Sequence, residues 1–598
     1  MPDKEIFAEA AMDAIPPWTR HNVLPEPDLP RADDLVAVGR NRARAVQVGP
    51  SRFLKHNDVS CEIEFKQRCM RDGIVMVHTQ VGYRDPEKSR LAFRDIHDHV
   101  TKRGGRVDRY GICLDWSMGY KPQDRSKAPK GTGLILSAPE NFQDLCESAP
   151  VSPHFGDFVL GMPAAVENTE AALLAGSTAI GNMGQYFTFR LPHYNDDVQI
   201  TEATVTALAL CAAQPVPVLI HSNVDDGFAA QFSDLSCALG AVMLERYIVE
   251  DLLGCKMGHC YGHTFSEPLS RWAFQRSLSR LEGCVGTMVY GNTTSYGPSD
   301  PENYAALASY LGVDIAAQRT QPSGHAINPI PITEAMRIPE IDEIVDANLF
   351  AARLMDQSQP LTPIYHMEAV DVIADLLTTG GKTFYDRVMA GLAERGIDTG
   401  DAVEMLLTIK RLGARQLEAL YGPGAPDSTK PSGRMPLVES PVVAEINNLS
   451  AQVLDNTLDV ANIVRAAGLT VCVATTDVHE YGKNLIDQVL RDLNVELIDG
   501  GVSTDPEVLA RLAHQSNANA IAISTYNGIA LPFLSALQTE MASIGCEIPV
   551  YIGGKLNHIP NDSNTSLPID VSDELESLGA IACPQVETMI LALAAPKL

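Results

Sequence analysis

Short apolar runs alternate with helix-length amphipathic segments over the first two thirds of the chain. Short runs bounded by turn residues are typical of buried parallel strands, and the segments between them have the length of ordinary helices. So many βα units over about 300 residues predict an α/β fold of the (β/α)8 TIM-type barrel class. The predicted strands lie at residues 74–77, 111–115, 134–136, 158–161, 179–181, 216–220, 287–290 and 315–317.

The last part of the chain repeats the pattern, with a polar loop after each apolar run. Residues 470–474 form a buried strand in this interpretation, and residues 485–490 follow with the periodicity of one helix face. Two further runs end at Ser524 and at the pair Gly553 and Gly554. The pattern predicts a Rossmann-like (flavodoxin-like) domain over residues 467–598, in which ligands bind beyond the carboxyl ends of the strands.

The remaining segments differ from both domains in composition. Prolines and arginines are frequent in residues 1–50, which predicts an extended N-terminal arm. The barrel then takes residues 51–375, and a helical connector with a linker takes residues 376–466. Within the connector, residues 400–420 predict an amphipathic helix, and residues 421–433 are rich in proline and glycine.

Charge and cysteine usage narrow the class of function. The chain has 598 residues, of which 45% are hydrophobic, and its net charge of −29 argues against nucleic-acid binding. Its twelve cysteines lack a Cys-x-x-Cys pair, which favours a reducing, cytoplasmic location. No segment has the length and apolarity of a membrane span, and the acidic N-terminus lacks the apolar core of a signal peptide.

The loop after the strand at 470–474 carries the candidate chemistry. It contains the spacing Asp477-x-His479-x-x-Gly482. A histidine whose second ring nitrogen is held by a carboxylate is a typical metal ligand, and glycine lets the loop turn tightly. Alone, such a histidine is more often structural, but the companions at the next two strand ends favour a ligand site.

The order Asp-x-His-x-x-Gly, then a serine at a strand end, then Gly-Gly resembles the cobalamin-binding domain of mutases and methionine synthase. The resemblance implies that His479 is the lower ligand of cobalt. It also implies that Asp477, Gly482, Ser524, Gly553 and Gly554 contact the cofactor, whose nucleotide tail lies beside Ser524 and the two glycines.

Several segments of the barrel region, over roughly residues 70–420, resemble the catalytic subunit of glutamate mutase. They are residues 175–193, 240–262, 287–298 and 319–335. A barrel fused to the cobalamin domain is similar to 2-methyleneglutarate mutase. The resemblance implies radical isomerisation of a small organic acid with adenosylcobalamin, a homodimer and a reactivating chaperone. It also implies cofactor or substrate contacts for His325, which matches a family histidine, and for Arg319, which replaces a family lysine.

The expected substrate-binding residues depart from the glutamate mutase pattern. Gln80 and Met118 stand where that family has arginines for two carboxylates, and Phe189 and His193 replace two tyrosines. Glutamate is therefore not the expected substrate, and Arg190 is a candidate to hold a single carboxylate. His193 is also expected at the catalytic site. Further candidates for the active site are His78, His221, His259 and His263, with Arg109 and Arg125 as alternative carboxylate partners.

Two other functions stay open. A corrinoid methyltransferase also joins a barrel to a cobalamin domain, with a compact helical cap before Asp477, and the helical character of residues 376–466 keeps this function open. Such enzymes often use zinc or folate on the barrel, and the cysteine and histidine spacing is unsuitable for zinc. A non-catalytic cobalamin carrier or sensor would not need the barrel region.

Overall fold

The computed structural model describes residues 18–128, 130–263, 265, 267–281, 285–293, 296–477, 479–560 and 564–595. The chain forms two compact units. The first unit comprises Met1–Thr188 with Asp196–Pro441, and the second comprises Phe189–Asn195 with Val442–Leu598. Both are α/β structures with parallel sheets. Among the described residues, no helix combines the length and the apolarity needed to cross a membrane.

Eight parallel strands form the centre of the first unit. Strands β1 to β6 make one sheet in sequence order, and β7 pairs with β8. Parallel bridges also join Tyr261 to Val289, and Val77 to Ile327, so that paired backbone continues from beyond β6 to β7 and from β8 to the start of β1. The strands are β1 His78–Val81, β2 Arg109–Ile112, β3 Ser152–Phe155, β4 Ala179–Ile180, β5 Leu219–Ser222, β6 Lys256–His259, β7 Met288–Val289 and β8 Ala326–Ile327.

Helices connect the strands of the first unit, and further helices precede β1 and follow β8 in the chain. Several begin at an acidic cap; for example, the Asp85 carboxylate accepts hydrogen bonds from the backbone of Glu87 and Lys88. The α-helices are Arg20–Val23, Ala32–Arg42, Arg52–Asn57, Glu62–Arg71, Pro86–Lys102, Pro139–Ser148, Ala165–Leu174, Gln185–Thr188, Asp197–Ala212, Leu235–Arg246, Pro268–Leu278, Asp300–Thr320, Ile341–Ser358, Glu368–Glu394 and Ala402–Tyr421. Single-turn or irregular helices are Trp116–Gly119, Ala229–Gln231, Tyr247–Leu252 and Gln359–Ile364.

The second unit contains a five-stranded parallel sheet in the order β10-β9-β11-β12-β15. The strands of this sheet are β9 Thr470–Thr475, β10 Glu496–Gly501, β11 Ala520–Thr525, β12 Val550–Gly554 and β15 Ile581–Cys583. Two further short strands, β13 Asn557–His558 and β14 Ile569–Asp570, form an antiparallel pair. Its helices are Pro441–Asn456, Leu458–Ala466, Tyr481–Asp492, Pro506–Gln515, Ala530–Ser543, Ser572–Ser577 and Val586–Ala594. The sheet order changes direction at β9 and β11, and ligands bind at such a switch point in open α/β sheets.

Most predicted elements of the second unit are confirmed, whereas the first unit holds several differences. The run at 158–161 is a turn, and the strand is β3, just before it. The run at 134–136 makes only one bridge, from Leu134 to Leu114, and the run at 315–317 lies inside the helix Asp300–Thr320. The predicted pattern did not include β6 or β8.

The N-terminal arm is helical in part, contrary to the extended conformation that its prolines predict. Ala32–Arg42 forms a helix that packs closely on Asp197–Ala212. A Cβ on Gly39 would lie 2.6 Å from the Ala209 Cβ, so glycine permits this close approach of the two helices.

Candidate functional site

The loop after β9 is held together by one buried carboxylate. The first carboxylate oxygen of Asp477 accepts the backbone N–H of His479 at 3.0 Å, and it lies 2.7 Å from the ring Nδ1 of His479. The second oxygen accepts the backbone N–H groups of Tyr526 at 2.8 Å and Asn527 at 3.1 Å. Asp477 therefore joins the loop after β9 to the loop after β11.

These bonds set the ionisation of Asp477 and the orientation of His479. Burial alone would raise the pKa of Asp477, but the hydrogen bonds and charge of His479 outweigh burial and lower that pKa. The His479 ring packs against Tyr526 in a tilted arrangement, with ring centroids 4.3 Å apart, and 37% of its side chain is exposed. A histidine bound to a carboxylate through Nδ1 has its Nε2 oriented as the metal-ligand atom.

A groove of about 570 Å³ lies beside this loop, at the carboxyl ends of β11 and β12. We call it the sheet groove. Apolar side chains from the helices Pro441–Asn456 and Tyr481–Asp492 form much of its wall. The lining includes Leu449, Val453, Leu485, Ile486, Ala522, Ile523, Tyr551 and Met589, together with the predicted residues Gly482, Ser524, Gly553 and Gly554.

The glycines keep this end of the sheet open. A Cβ on Gly482 would lie 2.3 Å from the Ser524 hydroxyl oxygen, and one on Gly553 would lie 2.7 Å from the Cys583 carbonyl oxygen. Gly554 has a φ of +95°, and a Cβ there would lie 2.3 Å from the Thr525 carbonyl oxygen. An oriented histidine beside an apolar groove with a hydroxyl at its base fits a corrinoid with a nucleotide tail.

Replacing Gly482 by alanine is expected to weaken cobalamin binding about tenfold without loss of folding. The new methyl group requires the Ser524 hydroxyl to turn, while alanine itself favours the helix in which Gly482 lies. Equilibrium binding of cobalamin, followed by absorbance, measures the effect. Gly312→Ala is the matched control, because a Cβ at that helical position meets no atom within 4 Å. Equal affinity in both variants would contradict this role of Gly482.

The first unit contains a separate cavity of about 220 Å³ at the carboxyl ends of its strands. We call it the strand-end cavity. Residues on or just after each of the eight strands contribute to its lining. The polar side chains are His78, Gln80, Cys113, Thr132, His154, Asp157, Asn182, His221, Asn223, Asp226, Cys260, His263, Tyr290 and Glu334.

Three imidazoles in this cavity are neutral. Burial, together with the nearby charge of Arg109, lowers the pKa values of His78, His154 and His221 well below the ordinary value. His154 and His221 pack against each other with ring centroids 4.3 Å apart. Neutral imidazoles donate and accept hydrogen bonds without adding a fixed positive charge.

Hydrogen bonds fix two of these rings. His78 Nε2 lies 2.9 Å from the Gln80 side-chain oxygen, and His221 Nδ1 lies 2.9 Å from the Thr287 hydroxyl. The Gln80 amide in turn donates to the Cys113 sulfur at 2.6 Å. The polar wall of the cavity is therefore preorganised by contacts within the first unit.

The carboxyl group of Asp157, which lines the cavity, has a raised pKa. Burial, and then the nearby Asp226 carboxylate, raise the pKa of Asp157 to about 7. Its carboxylate accepts a hydrogen bond from the Gln185 amide at 3.0 Å. Perturbed carboxyl groups in a cavity are frequent at functional sites.

The structure does not bring the three predicted catalytic residues to this cavity. His325 comes before β8, at the opposite end of that strand, and its Nδ1 lies 2.7 Å from the Ser323 hydroxyl. Arg319 lies in the last turn of Asp300–Thr320 and donates to the Ser358 hydroxyl at 2.8 Å. His193 belongs to the second unit, where its Nδ1 lies 3.1 Å from a Glu507 carboxylate oxygen.

The predicted substrate residues are also separated. Gln80 lines the strand-end cavity, whereas Met118 is buried in the turn Trp116–Gly119 as a packing residue. Phe189 is buried in the second unit, and there Arg190 forms an ion pair with Asp505 and donates to the Ser503 carbonyl at 3.1 Å.

The other arginine and histidine candidates fall into two groups. Arg109 is fully buried against Glu62 at 2.9 Å, and Arg125 donates to Asn168 at 2.6 Å; neither lines the cavity. His78, His221 and His263 do line it, and His259 does not.

Sequence reasoning missed His154, Asp157, Asn223 and Asp226. The first two were missed because the predicted strand lay at 158–161, beyond β3. Asn223 directly follows β5 and Asp226 lies in the loop after it, and the predicted position of this strand ended just before His221. Asn223 and Asp226 could therefore have been identified from the sequence, as polar residues that follow a predicted strand.

Residues 468–566 match the family model described as "B12 binding domain". This match includes the loop of Asp477 and His479 and the strands β11 and β12, whose carboxyl ends line the sheet groove. A solved structure, a novel cobalamin-binding protein from Desulfitobacterium hafniense DCB-2, is 15% identical in sequence over 25% of this chain and 78% of that chain. The TM-score between the two structures is 0.19. The second unit thus contains a B12-binding domain, as its motifs predict.

Proposed function

We propose that the chain is an adenosylcobalamin-dependent carbon-skeleton mutase whose substrate reacts in the strand-end cavity. The carrying observation is that one chain combines a B12-binding domain with a preorganised polar cavity formed by the ends of eight parallel strands. A carrier or sensor would need only the first of these. Active sites of βα barrels lie at this end of their strands.

We infer that the eight strands close into a (β/α)8 barrel. The bridges from Tyr261 to Val289 and from Val77 to Ile327 support closure, because they continue the parallel pairing on both sides of β7 and β8. The backbone N–H of Ile327 donates to the Met76 carbonyl at 2.9 Å, and that of Tyr290 donates to the Tyr261 carbonyl at 2.7 Å.

The second unit would hold the cofactor through residues already described. Asp477 would hold the His479 ring as the cobalt ligand, and the sheet groove would hold the nucleotide tail beside Ser524 and the glycines. When bound, adenosylcobalamin supplies hydrogen-atom abstraction and so permits the isomerisation. In the first unit, the imidazoles and amides of the cavity would orient the substrate by hydrogen bonds, and the buried walls would exclude water.

The helices before β9 favour a mutase over a corrinoid methyltransferase. The helix Glu368–Glu394 belongs to the first unit, where it packs closely on Leu235–Arg246. A Cβ on Gly240 would lie 2.6 Å from the Phe384 ring and 2.8 Å from the Gly381 carbonyl oxygen. In the second unit only Pro441–Asn456 and Leu458–Ala466 precede β9 in the described chain, so these segments do not supply a larger cap.

Freeze-quenched electron paramagnetic resonance tests the mutase proposal. Protein loaded with adenosylcobalamin is mixed in turn with small amines and small organic acids. The compound that is its substrate is expected to give the signal of cobalt coupled to an organic radical. His221→Ala is expected to reduce this signal at least tenfold, because His221 lines the cavity. The exposed His366→Ala variant is the control. Formation of methylcobalamin from a methyl donor, with no radical signal, would identify a methyltransferase instead. The homodimer, the reactivating chaperone and the cytoplasmic location stay predictions.

A further inference from the structure

The described lining of the strand-end cavity has an unequal balance of charge. Asp157, Asp226 and Glu334 contribute carboxyl groups, and none of the described lining residues is lysine or arginine. The buried His78, His154 and His221 are neutral and add no positive charge, and the fourth lining histidine, His263, faces Asp226 at 3.4 Å. Carboxylate ligands are usually bound by arginine forks or lysines, which this lining lacks.

The two aspartates both line the cavity, and the charge of Asp226 acts on Asp157. The charge of Asp226 is a principal cause, after burial, of the altered acidity of Asp157. Asp226 is 3.4 Å from His263 Nε2, and Asp157 accepts from the Gln185 amide. A cation placed in this part of the cavity would relieve the repulsion between the aspartates.

A buried amide provides independent evidence for a hydrogen-bond donor on the ligand. Asn223 lines the cavity and is 5% exposed, yet its side-chain oxygen has no hydrogen-bond partner. A buried acceptor without a partner is costly unless a ligand or water supplies the donor. The backbone N–H of Asn223 donates to Asn182 at 2.8 Å, so this residue is held in position from behind.

We propose that the substrate of the strand-end cavity bears an ammonium group, which Asp157, Asp226 and the Asn223 side-chain oxygen bind. An ammonium group offers three donors and one positive charge, matching an acceptor-rich wall. A dicarboxylate would meet the acidic side chains of Asp157 and Asp226, and the described lining offers no lysine or arginine to pair with it. This inference rests on the proposed function only in taking the cavity as the substrate site, and it replaces the predicted organic acid by a small amine.

Ligand-observed nuclear magnetic resonance with the cofactor-free full-length protein tests the charge preference. The probes are butylamine, butyrate and butanol, which have similar size and differ in charge. At pH 8 butylamine is expected to bind at least tenfold more tightly than butyrate or butanol. Asp157→Asn is expected to weaken butylamine binding at least tenfold, whereas the exposed Asp386→Asn control is expected to leave it unchanged.

The same measurement has a pH signature. The pKa of Asp157 is about 7, so the carboxylate is mostly protonated at pH 6 and mostly ionised at pH 8. Butylamine affinity is therefore expected to rise over this range and to become less pH-dependent in Asp157→Asn. The titratable neighbours that act on Asp157 are Asp226, His263 and Cys113, so Asp226→Asn is the second variant.

Butyrate binding equal to or tighter than butylamine binding, or no butylamine binding, would overturn the ammonium proposal. So would equal butylamine affinity in wild type, Asp157→Asn and Asp226→Asn. These outcomes do not depend on adenosylcobalamin, whereas the radical signal does. Butylamine binding without a radical signal for any amine would reject the mutase and leave the charge preference intact.

Discussion

His479→Ala is expected to abolish histidine ligation of cobalamin. It should also weaken cobalamin binding by more than Asp477→Asn, which removes only a hydrogen-bond partner of the ligand. The imidazole is held for this role by Asp477 at 2.7 Å and by packing against the Tyr526 ring. Protein labelled with ¹⁵N-histidine and loaded with cob(II)alamin should show the altered nitrogen splitting in its electron paramagnetic resonance spectrum. The splitting should be absent in His479→Ala.

Asp477→Asn separates orientation from ligation. An asparagine keeps the size of the side chain but has only one acceptor oxygen, whereas Asp477 accepts with both of its oxygens. Loss of such an outer partner typically lowers metal affinity about 10–100-fold. His514→Ala is the control within the same unit, because this histidine is exposed. An unchanged spectrum in His479→Ala would reject the proposed lower ligand.

Arg271→Met is expected to lower the free energy of unfolding by about 3–5 kcal/mol, the usual effect of leaving one charge of a buried pair alone. Arg271 and Asp314 are each 1% exposed and form two hydrogen bonds, at 2.7 and 2.8 Å. Arg271 also donates to the carbonyls of Gly262 at 2.9 Å and Tyr290 at 2.6 Å. Its loss therefore affects the segments that carry His263 and Tyr290 to the strand-end cavity.

Denaturant unfolding, followed by a probe of the first unit, measures this effect. Arg271→Met combined with Asp314→Leu should recover much of the lost stability, because no unpaired carboxyl group remains buried. The exposed pair of Lys382 and Asp386 provides the matched control, and Lys382→Met should change stability by less than about 1 kcal/mol. A similar small change for Arg271→Met would contradict the buried-charge argument.

The strands of the two units differ in how well the sequence predicts them. β9, β11 and β12 are continuous apolar runs with both faces covered, so hydrophobic pattern alone locates them. β3 and β6 read Ser-Pro-His-Phe and Lys-Met-Gly-His, because part of each short strand faces a polar interior or the solvent. A search for apolar runs passes over such strands and selects neighbouring turns instead.

The predicted strand at 315–317 was wrong for a different reason. It is the buried side of a 21-residue helix, Asp300–Thr320, in which Ile315, Ala316 and Ala317 all face the core. Three consecutive buried residues have the same pattern in a strand and in a helix enclosed by neighbours. Only the packing of that helix decides between them.

The sequence alone was sufficient to identify the motif around His479. Asp477 contacts the ring of His479, which is two positions later in the chain. Glycine at position 482 leaves room for the Ser524 side chain. The spacing of these residues in the sequence therefore indicates the site. The strand-end cavity has no such local signature. His78, His154 and His221 come from strands separated by more than 60 residues, and only the parallel pairing of those strands brings their rings together. The charge balance of that cavity, and with it the class of substrate proposed, was therefore decided by the tertiary structure.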